Sequence, residues 1–308
     1  MCLQMFKLAH ISDVHLGPLP ELTLRELASK RITGFVNWHR NRRKHLFPNT
    51  LDLLLADLAR HEPDHLAITG DLVNLATGIE IRTAAEWLRE VGRPEDTSVV
   101  PGNHDAYVRG AYAKAMRAWY PYVRGDDSPQ QFPSDRHLFP YLRTRGPVAI
   151  IGCSTSVATP PFSASGFFSP RQARETVNLL KKAGDAGLFR VVLIHHPPIR
   201  GATTLHKRMI GIRRFAAAIA TGGAELVLHG HTHLNTVYMI RGQHGMVPVV
   251  GIASASQGPG AHKPPAAYNL FRIDGGPGAW EVTSERHSLL PDGSGMAQES
   301  SHTYRQAG

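Results

Sequence analysis

The stretch SVVPGNHD, residues 98–105, decides the fold class of this chain. Its apolar start, Ser98–Val100, is typical of a short buried β-strand. The polar residues Asn103, His104 and Asp105 follow directly after it. In open α/β folds, ligand-binding residues gather at the carboxyl ends of the strands. The stretch therefore predicts one such strand end, with side chains that can take part in chemistry.

The same arrangement, an apolar run followed by a polar cluster, occurs at four other places. The other predicted strands are Phe6–Ile11, His65–Thr69, Arg190–Ile194 and Leu226–Leu228. The clusters that follow them are Asp13-Val14-His15, Gly70-Asp71, His195-His196-Pro197 and Gly230-His231-Thr232-His233. Each cluster alone arises often by chance. Five of them at strand ends predict one site with enough oxygen and nitrogen ligands for two metal ions.

Strand-like and helix-like segments alternate through the first two-thirds of the chain, which predicts an α/β fold. The expected helices are Pro48–His61, Ile81–Val91, Arg109–Trp119, Pro170–Lys182 and Ile210–Ala220. Ser169 and Pro170 match an N-cap followed by proline at the first helical position. Four consecutive strands are then expected to form an antiparallel sheet that completes a two-sheet core: Thr236–Ile240, Val247–Ile252, Tyr268–Ile273 and Trp280–Ser284.

Composition predicts one globular domain over residues 1–286, because the chain has 308 residues, is 42% hydrophobic and is only 19% charged. Residues 287–308 contain few apolar side chains and are expected to form a flexible tail. No run approaches the roughly 18 apolar residues of a membrane-spanning helix. Two cysteines are too few for a disulfide framework, and the amino terminus leads directly into a core strand, so a cytoplasmic protein is expected. The net charge of +9 favours anionic partners.

The motif set resembles that of the calcineurin-like metallophosphoesterases: Asp-X-His, Gly-Asp, Gly-Asn-His-Asp/Glu, His and Gly-His-X-His. Every element is present, and the resemblance spans about Phe6 to Ser284. It implies a four-layer α/β/β/α sandwich of two mixed β-sheets flanked by helices. It also implies two divalent metal ions, either manganese, iron, zinc or cobalt. The implied ligands are Asp13, His15 and His233 for one metal, Asn103, His195 and His231 for the other, and Asp71 as the bridge between them.

The resemblance further implies that a hydroxide bridging the metals attacks phosphorus in line. His104 follows Asn103 directly and is expected to bind the substrate, where it could stabilise an equatorial oxygen or protonate the leaving alkoxide. Asp105 is expected to orient and charge His104. His196 lies in a His-Pro-Pro turn and could either fix that turn or support the metal ligands. The segment Gly251–Ser256 is expected to be scaffold behind the metals.

Among the branches of the family, the chain looks most similar to the cyclic-nucleotide and glycerophosphodiester phosphodiesterases. The expected partner is therefore a phosphoester substrate. An alternative is a hydrolase of a lipid-linked nucleotide pyrophosphate, similar to the UDP-diacylglucosamine hydrolases, acting at the membrane surface. A metal-binding scaffold without catalysis is a hypothesis of another class, but it predicts an eroded ligand set or loss of His104, and neither is eroded. Exposed strands of the last sheet could pair in a dimer.

A basic and aromatic insert, residues 25–47, is not required by the family's minimal pattern. It could be a surface cap whose aromatic side chains pack on the core. It could also be a lid that binds an anionic substrate or rests on the inner face of an anionic membrane. Nucleic acid is the least favoured partner, because the family's nuclease members carry further domains. The candidate substrate-binding residues of the insert are Arg40, Arg42 and Arg43, and the residues that would share a helical face are Ile32, Phe35, Val36 and His39.

Overall fold

The computed structural model describes residues 5–23, 29–38, 49–133 and 137–305, in which strands alternate with helices before a final run of strands. The helices are α1 Arg31–Asn37, α2 Thr50–Arg60, α3 Gly78–Val91, α4 Ala111–Ala118, α5 Tyr120–Val123, α6 Pro170–Asp185 and α7 Ile212–Gly222. The strands are β1 Phe6–Ile11, β2 His65–Ile68, β3 Thr97–Val99, β4 Tyr141–Arg145, β5 Val148–Gly152, β6 Gly166–Phe167, β7 Phe189–Leu193, β8 Met209–Ile210, β9 Leu226–His229, β10 Thr236–Arg241, β11 Met246–Gly251, β12 Ala267–Asp274, β13 Glu281–Leu289 and β14 Met296–Arg305.

Two six-stranded mixed sheets form the centre of the molecule. The first has the order β14-β13-β12-β1-β2-β3, and the second has the order β10-β11-β9-β7-β5-β4. Strands β1, β2 and β3 are parallel, as are β5, β7, β9 and β11. The helices flank the two sheets, so the predicted α/β sandwich is confirmed. All five predicted strands that precede the polar clusters belong to these parallel sets, and their carboxyl ends meet at one edge of the sandwich.

The local signals at helix α6 explain why its start could be predicted. The Ser169 hydroxyl accepts a hydrogen bond from the backbone N–H of Gln172, and Pro170 occupies the first position. Leu180 on this helix packs with Phe215 of α7 in a core that covers the outer face of the second sheet. No helix in the described part of the chain is both long and apolar enough to span a bilayer.

The last strands differ from the prediction of one antiparallel sheet. Strands β10 and β11 extend the second sheet, whereas β12 and β13 extend the first sheet beyond β1. The division arises because β11 pairs in parallel with β9 while β12 pairs antiparallel with β1. The sequence pattern identifies the four strands correctly but carries no information about which sheet each one joins.

The predicted flexible tail is also different in the structure. Strand β13 continues to Leu289, and residues 296–305 form the edge strand β14, which pairs along its length with β13. Only Met296 and Tyr304 of this strand pack against the hydrophobic core. An edge strand exposed on most of its surface needs few apolar residues, because its backbone hydrogen bonds hold it in the sheet. Low apolar content therefore did not indicate disorder here.

Candidate metal centre

The predicted ligand residues converge where the parallel strands of the two sheets end. Five of them have backbone φ angles in the left-handed region, which non-glycine residues seldom adopt and which clusters at functional sites. These are Asp13 at 52°, His15 at 44°, Asp71 at 55°, His231 at 69° and His233 at 54°. The backbone therefore turns sharply after β1, β2 and β9 to direct these side chains to a common point.

Asp13, His15 and His233 form the first group of donor atoms. The Ser12 hydroxyl and the backbone N–H of His231 both donate to Asp13 Oδ2, at 2.8 and 2.9 Å. The other oxygen, Oδ1, is buried and lies 3.0 Å from His233 Nε2 and 3.8 Å from His15 Nε2. His15 Nδ1 donates to the carbonyl oxygen of Val73 at 3.1 Å, so the Nε2 lone pair of the neutral ring faces the carboxylate.

Asn103, His195 and His231 form the second group. His195 Nδ1 donates to the carbonyl oxygen of Thr69 at 2.6 Å, and His231 Nε2 donates to that of Lys207 at 2.9 Å. The remaining ring nitrogens therefore carry lone pairs when the rings are neutral. They lie 3.2 and 2.8 Å from Asn103 Oδ1, which also carries lone pairs. Three lone pairs directed at one another form a set of donor atoms that suits a metal cation.

Asp71 lies between the two groups. Its Oδ2 is 3.8 Å from His15 Nε2 and 3.4 Å from His195 Nε2, while Oδ1 accepts the backbone N–H of His104 at 2.7 Å. A Cβ atom at Gly102 would collide with this carboxylate, so only glycine permits the close approach. Asp71 is thus placed to share its carboxylate between two cations.

The donor set fits the two divalent ions that the resemblance implies. Ligating atoms of Asp13, His15 and His233 lie within 4.8 Å of one another, as do those of Asp13, Asp71 and His195. Backbone carbonyls fix the orientation and tautomer of His15 and His195, as is usual for metal-bound imidazoles. Imidazole, carboxylate and amide oxygen together suit manganese, iron, zinc or cobalt.

Electrostatics keeps the carboxylates ready to bind cations. Burial alone would raise the pKa of Asp13, but the neighbouring His233 holds it well below its usual range. His195 and His104 likewise hold the pKa of Asp71 well below its usual range, although burial alone would raise it. Burial would lower the pKa of His195, but the Asp71 carboxylate outweighs it and raises this pKa to about 9. A proton on His195 therefore competes with the metal, so metal affinity should rise with pH.

His104 lies beside the centre, as predicted for a residue that contacts substrate. Its Nδ1 donates to the carbonyl oxygen of Asn74, so the neutral ring carries its lone pair on Nε2. The ring meets that of His15 edge-on, with 4.9 Å between centroids, and stacks on that of Tyr107 at 5.3 Å. These contacts hold the imidazole at the wall of the open cleft that leads to the metal centre.

The Asp105 carboxylate makes no hydrogen bond to the His104 ring, and the prediction that it orients this histidine was wrong. Its carboxylate is fully buried and accepts the backbone N–H groups of Asp71, Leu72, Val73 and Gly102, at 2.8–3.3 Å. Burial raises the pKa of Asp105 to about 7, with the Asp71 charge adding to the effect. Its role is to tie the loop after β2 to the loop after β3. The carbonyl oxygen of Asn74, and not the Asp105 carboxylate, accepts the hydrogen bond that orients the His104 ring.

Several supporting residues escaped the sequence analysis. The Ser254 hydroxyl donates to the carbonyl oxygen of Asp13 at 2.6 Å, within the segment expected to be scaffold. Glu80 accepts the backbone N–H groups of Asn74 and Thr77 and completes a capping box with Thr77 at the start of α3. The Thr-X-X-Glu pattern was visible in the sequence and predicts such a box. It fixes the loop that carries the carbonyl partner of His104.

His196 supports the centre from behind. Its ring is fully buried, its Nδ1 lies 2.7 Å from the Thr155 hydroxyl, and its Nε2 donates to the carbonyl oxygen of Ala164 at 3.0 Å. The ring centroid is 4.3 Å from that of His231. Burial lowers the pKa of His196 to about 3, so the ring is neutral. The ring therefore ties its turn to Thr155 and Ala164 and packs beside His231, which is compatible with either of the alternatives left open for this residue.

An open cleft of about 770 Å³ leads from the centre to the surface. Helix α1, part of the basic and aromatic insert, forms one wall, because Arg31 donates to the carbonyl oxygens of Leu75 and Ala76 and Trp38 is buried. Lys30 extends from this wall over the ring of Tyr107, at 4.7 Å from its centroid. The insert residues Arg40, Arg42 and Arg43, and His39 of the expected helical face, lie outside the described residues.

The fold and donor set define a metallophosphoesterase-type α/β sandwich, and the comparisons agree. The model of the calcineurin-like phosphoesterase family matches residues 6–235. The chain therefore belongs to the calcineurin-like phosphoesterases. No curated protein matches its sequence.

Solved structures extend the likeness to the whole chain. A dimetal phosphatase from Danio rerio is 11% identical, with a TM-score of 0.65 and 100% of each chain covered. The purple acid phosphatase PPD1 from seeds of yellow lupin, Lupinus luteus, is 10% identical, with a TM-score of 0.60 over 99% of this chain and 54% of the other. At these identities the likeness shows a shared fold.

Proposed function

We propose that this protein is a phosphodiesterase that works with two divalent metal ions. The observation that carries the proposal is the position of Asp71, whose Oδ2 faces His15 on one side and His195 on the other. Asp13 and His233 would complete the first metal site, and Asn103 and His231 the second. When bound, the ions activate water and neutralise charge on the phosphoryl oxygens.

In its doubly protonated form, His104 would hold a proton at Nε2 and deliver it to the leaving alkoxide, which leaves the neutral ring. The carbonyl oxygen of Asn74 accepts the Nδ1 proton and so orients the ring for this transfer. Stacking on Tyr107 restrains the ring further. A general acid fixed in this way typically contributes about 10²–10⁴-fold to the rate. Asn103 would contact the phosphoryl group beside His104.

The volume of the cleft supports a diester substrate, either a cyclic nucleotide or a glycerophosphodiester. The cleft has a volume of about 770 Å³, and Tyr107, Lys30, His206 and Lys207 are among the residues that line it. Substituents on both sides of the phosphorus could therefore be accommodated. The lysines favour substrates with additional negative charge, which agrees with the positive charge of the chain as a whole.

The direct test is steady-state hydrolysis of bis(p-nitrophenyl) phosphate against p-nitrophenyl phosphate by manganese-reconstituted protein. A chelated sample is the blank, and a variant at an exposed position far along the chain, His302→Gln, is the control. The proposal predicts metal-dependent turnover with a preference for the diester. A monoester preference would contradict it, and absence of turnover by metal-loaded protein would favour the scaffold hypothesis.

A second candidate is hydrolysis of a lipid-linked pyrophosphate at an anionic membrane. The mouth of the cleft exposes Phe162, which is 83% accessible, and the adjacent loop exposes Leu205 at 74%. The backbone N–H of Ala164 donates to the carbonyl oxygen of His206, which joins the two loops beside Lys207. Exposed apolar side chains next to a lysine are typical of interfacial binding.

Co-sedimentation with vesicles distinguishes the two candidates. The membrane candidate predicts binding to vesicles rich in phosphatidylglycerol but not to phosphatidylcholine vesicles, with loss of binding in the double variant Phe162→Ser, Leu205→Ser. The matched control is Met246→Ser, which changes an exposed apolar residue on β11. Absence of binding to anionic vesicles at low salt would exclude the membrane candidate.

A further inference from the structure

A second cluster of metal-ligating side chains lies on the outer face of the first sheet, away from the candidate metal centre. Asp57 and His61 are four residues apart, at the carboxyl end of α2 and just beyond it, and therefore lie on the same side of the helix. His287 on β13 faces them across the helix–sheet interface. One ligating atom from each of these three residues lies within 4.8 Å of the other two. We call this set the outer cluster.

Strand register separates the outer cluster from the catalytic edge. Asn269 of β12 pairs with His10 of β1, and its side-chain amide lies 3.4 Å from the ring of His10, which interacts with His229 in the second sheet. Asn269 therefore faces the space between the sheets. Successive strand residues point to opposite faces, so Tyr268 and its register partner His287 face outward, toward α2.

The backbone directs His287 into the cluster. His287 pairs in regular register with Tyr268 of β12, and the irregularity opposite Arg286 and His287 lies in β14, where Glu299 is the extra residue. His287 is only 6% exposed, and its Nε2 has no hydrogen-bond partner among the described residues. The other ring nitrogen, Nδ1, lies 3.9 Å from Asp57 Oδ2, which is too far for a hydrogen bond but leaves room for a cation that both atoms could contact.

The other residues of the cluster are arranged to support a cation. The Tyr268 hydroxyl donates to Asp57 Oδ2 at 2.7 Å and holds the carboxylate in place. The ring of Tyr268 stacks on that of His287, with centroids 4.7 Å apart and an angle of 6° between the planes. Burial and the nearby His61 lower the pKa of His287, which favours the neutral imidazole that a metal requires. The guanidinium of Arg60, 3.7 Å from Asp57 Oδ1, is largely exposed and can move away.

We infer that Asp57, His61 and His287 bind one divalent transition-metal ion of the zinc type, separate from the catalytic pair. Two imidazoles and one carboxylate form a common zinc ligand set, with water as the fourth ligand. The ion would link α2 to the carboxyl-terminal strands. Its function is structural, because the cluster lies on the outer face of the first sheet and does not line the cleft.

The test is the zinc content of tag-free, full-length protein after equilibration with a zinc buffer and removal of excess metal. We expect His61→Gln and His287→Gln each to hold one zinc ion fewer per chain than the unmodified protein. His302→Gln, on the exposed face of β14, should hold as many as the unmodified protein. Equal zinc content in all four proteins would overturn the inference.

A fallback variant and a measurement of Tm complete the test. If His287→Gln does not fold, His61→Gln alone decides the outcome, because His61 is only half-buried. Zinc should raise the Tm of the Asp71→Asn variant, in which the catalytic pair is disrupted, and this rise should disappear in the double variant Asp71→Asn, His61→Gln. The same rise in both variants would contradict the inference, while leaving the proposed phosphodiesterase activity untouched.

Discussion

The candidate metal centre and the outer cluster are both built from histidine and aspartate, but the chain constructs them differently. In the centre, Asp13, His15 and Asp71 have left-handed backbone angles, and backbone carbonyls fix the imidazoles. None of the three residues of the outer cluster has a positive φ angle, and they belong to a helix end and to a strand in regular register with its neighbour. Backbone strain therefore marks the site that must be preorganised for reaction, whereas regular elements suffice for a site that only links two parts of the fold.

The largest effect is expected from Asp71→Asn. An amide cannot neutralise charge between two cations, so we expect kcat/KM for bis(p-nitrophenyl) phosphate to fall by about 10³-fold or more. Steady-state kinetics and metal analysis of the same sample measure the two consequences. The zinc of the outer cluster should remain. Activity within tenfold of the unmodified protein would show that Asp71 does not bridge two metal ions.

The next largest effect is expected from His104→Ala, and it should depend on the leaving group. A poor alkoxide leaving group needs a proton, so hydrolysis of an alkyl diester should slow by about 10²–10³-fold. The p-nitrophenolate leaving group needs little assistance, so that reaction should slow by about tenfold or less. Parallel assays on the two substrates, with metal content confirmed, measure this difference. An equal loss on both would mean that His104 acts on the phosphoryl oxygens and does not transfer a proton.

A smaller effect, on stability, is expected from Asp105→Asn. Four backbone N–H groups point at this carboxylate, and the side-chain amide group of asparagine would leave some of them unsatisfied. We expect a loss of about 2–4 kcal/mol in the free energy of unfolding. Urea unfolding in the presence of a chelator measures it without a contribution from bound metal. The exposed Asp127→Asn should change stability by about 0.5 kcal/mol or less, and a similar small change for Asp105→Asn would contradict the account.

The smallest effect on activity is expected from His61→Gln. The outer cluster lies on the far face of the first sheet, so turnover of bis(p-nitrophenyl) phosphate should stay within about twofold of the unmodified protein. Only the one zinc ion per chain that the outer cluster holds should be lost. A large drop in turnover with unchanged folding would show that the two sites are coupled and that the role of the outer cluster is not only structural.

The centre could be predicted from the sequence because each of its ligands follows a strand within a few residues. Local motifs such as Gly102-Asn103-His104 therefore carry both the chemistry and its position. The outer cluster has no such motif, since His287 is far from Asp57 in the chain and meets it only through the packing of α2 on the sheet. The same limit explains the error at Asp105, whose partners are backbone amides that no side-chain pattern reveals.

The carboxyl-terminal region shows a second limit of the sequence. Strand β14 is held by its backbone pairing with β13, and its polar side chains gave no sign of this. Interactions of the backbone depend weakly on residue type. The sequence was therefore most informative for buried strands such as β1, whose side chains must be apolar. It was least informative at the edge of the first sheet, where the side chains are mostly exposed.

The most direct test of the central claim is anomalous diffraction from crystals of the manganese-loaded protein, recorded on both sides of the metal absorption edge. The account predicts two peaks about 3.5–4 Å apart, one on each side of the Asp71 carboxylate. The peak beside Asp13 should contact His15 and His233, and the other should contact Asn103 and His195. A single peak, or two peaks that Asp71 does not contact, would contradict the assignment of a shared carboxylate and the mechanism that depends on it.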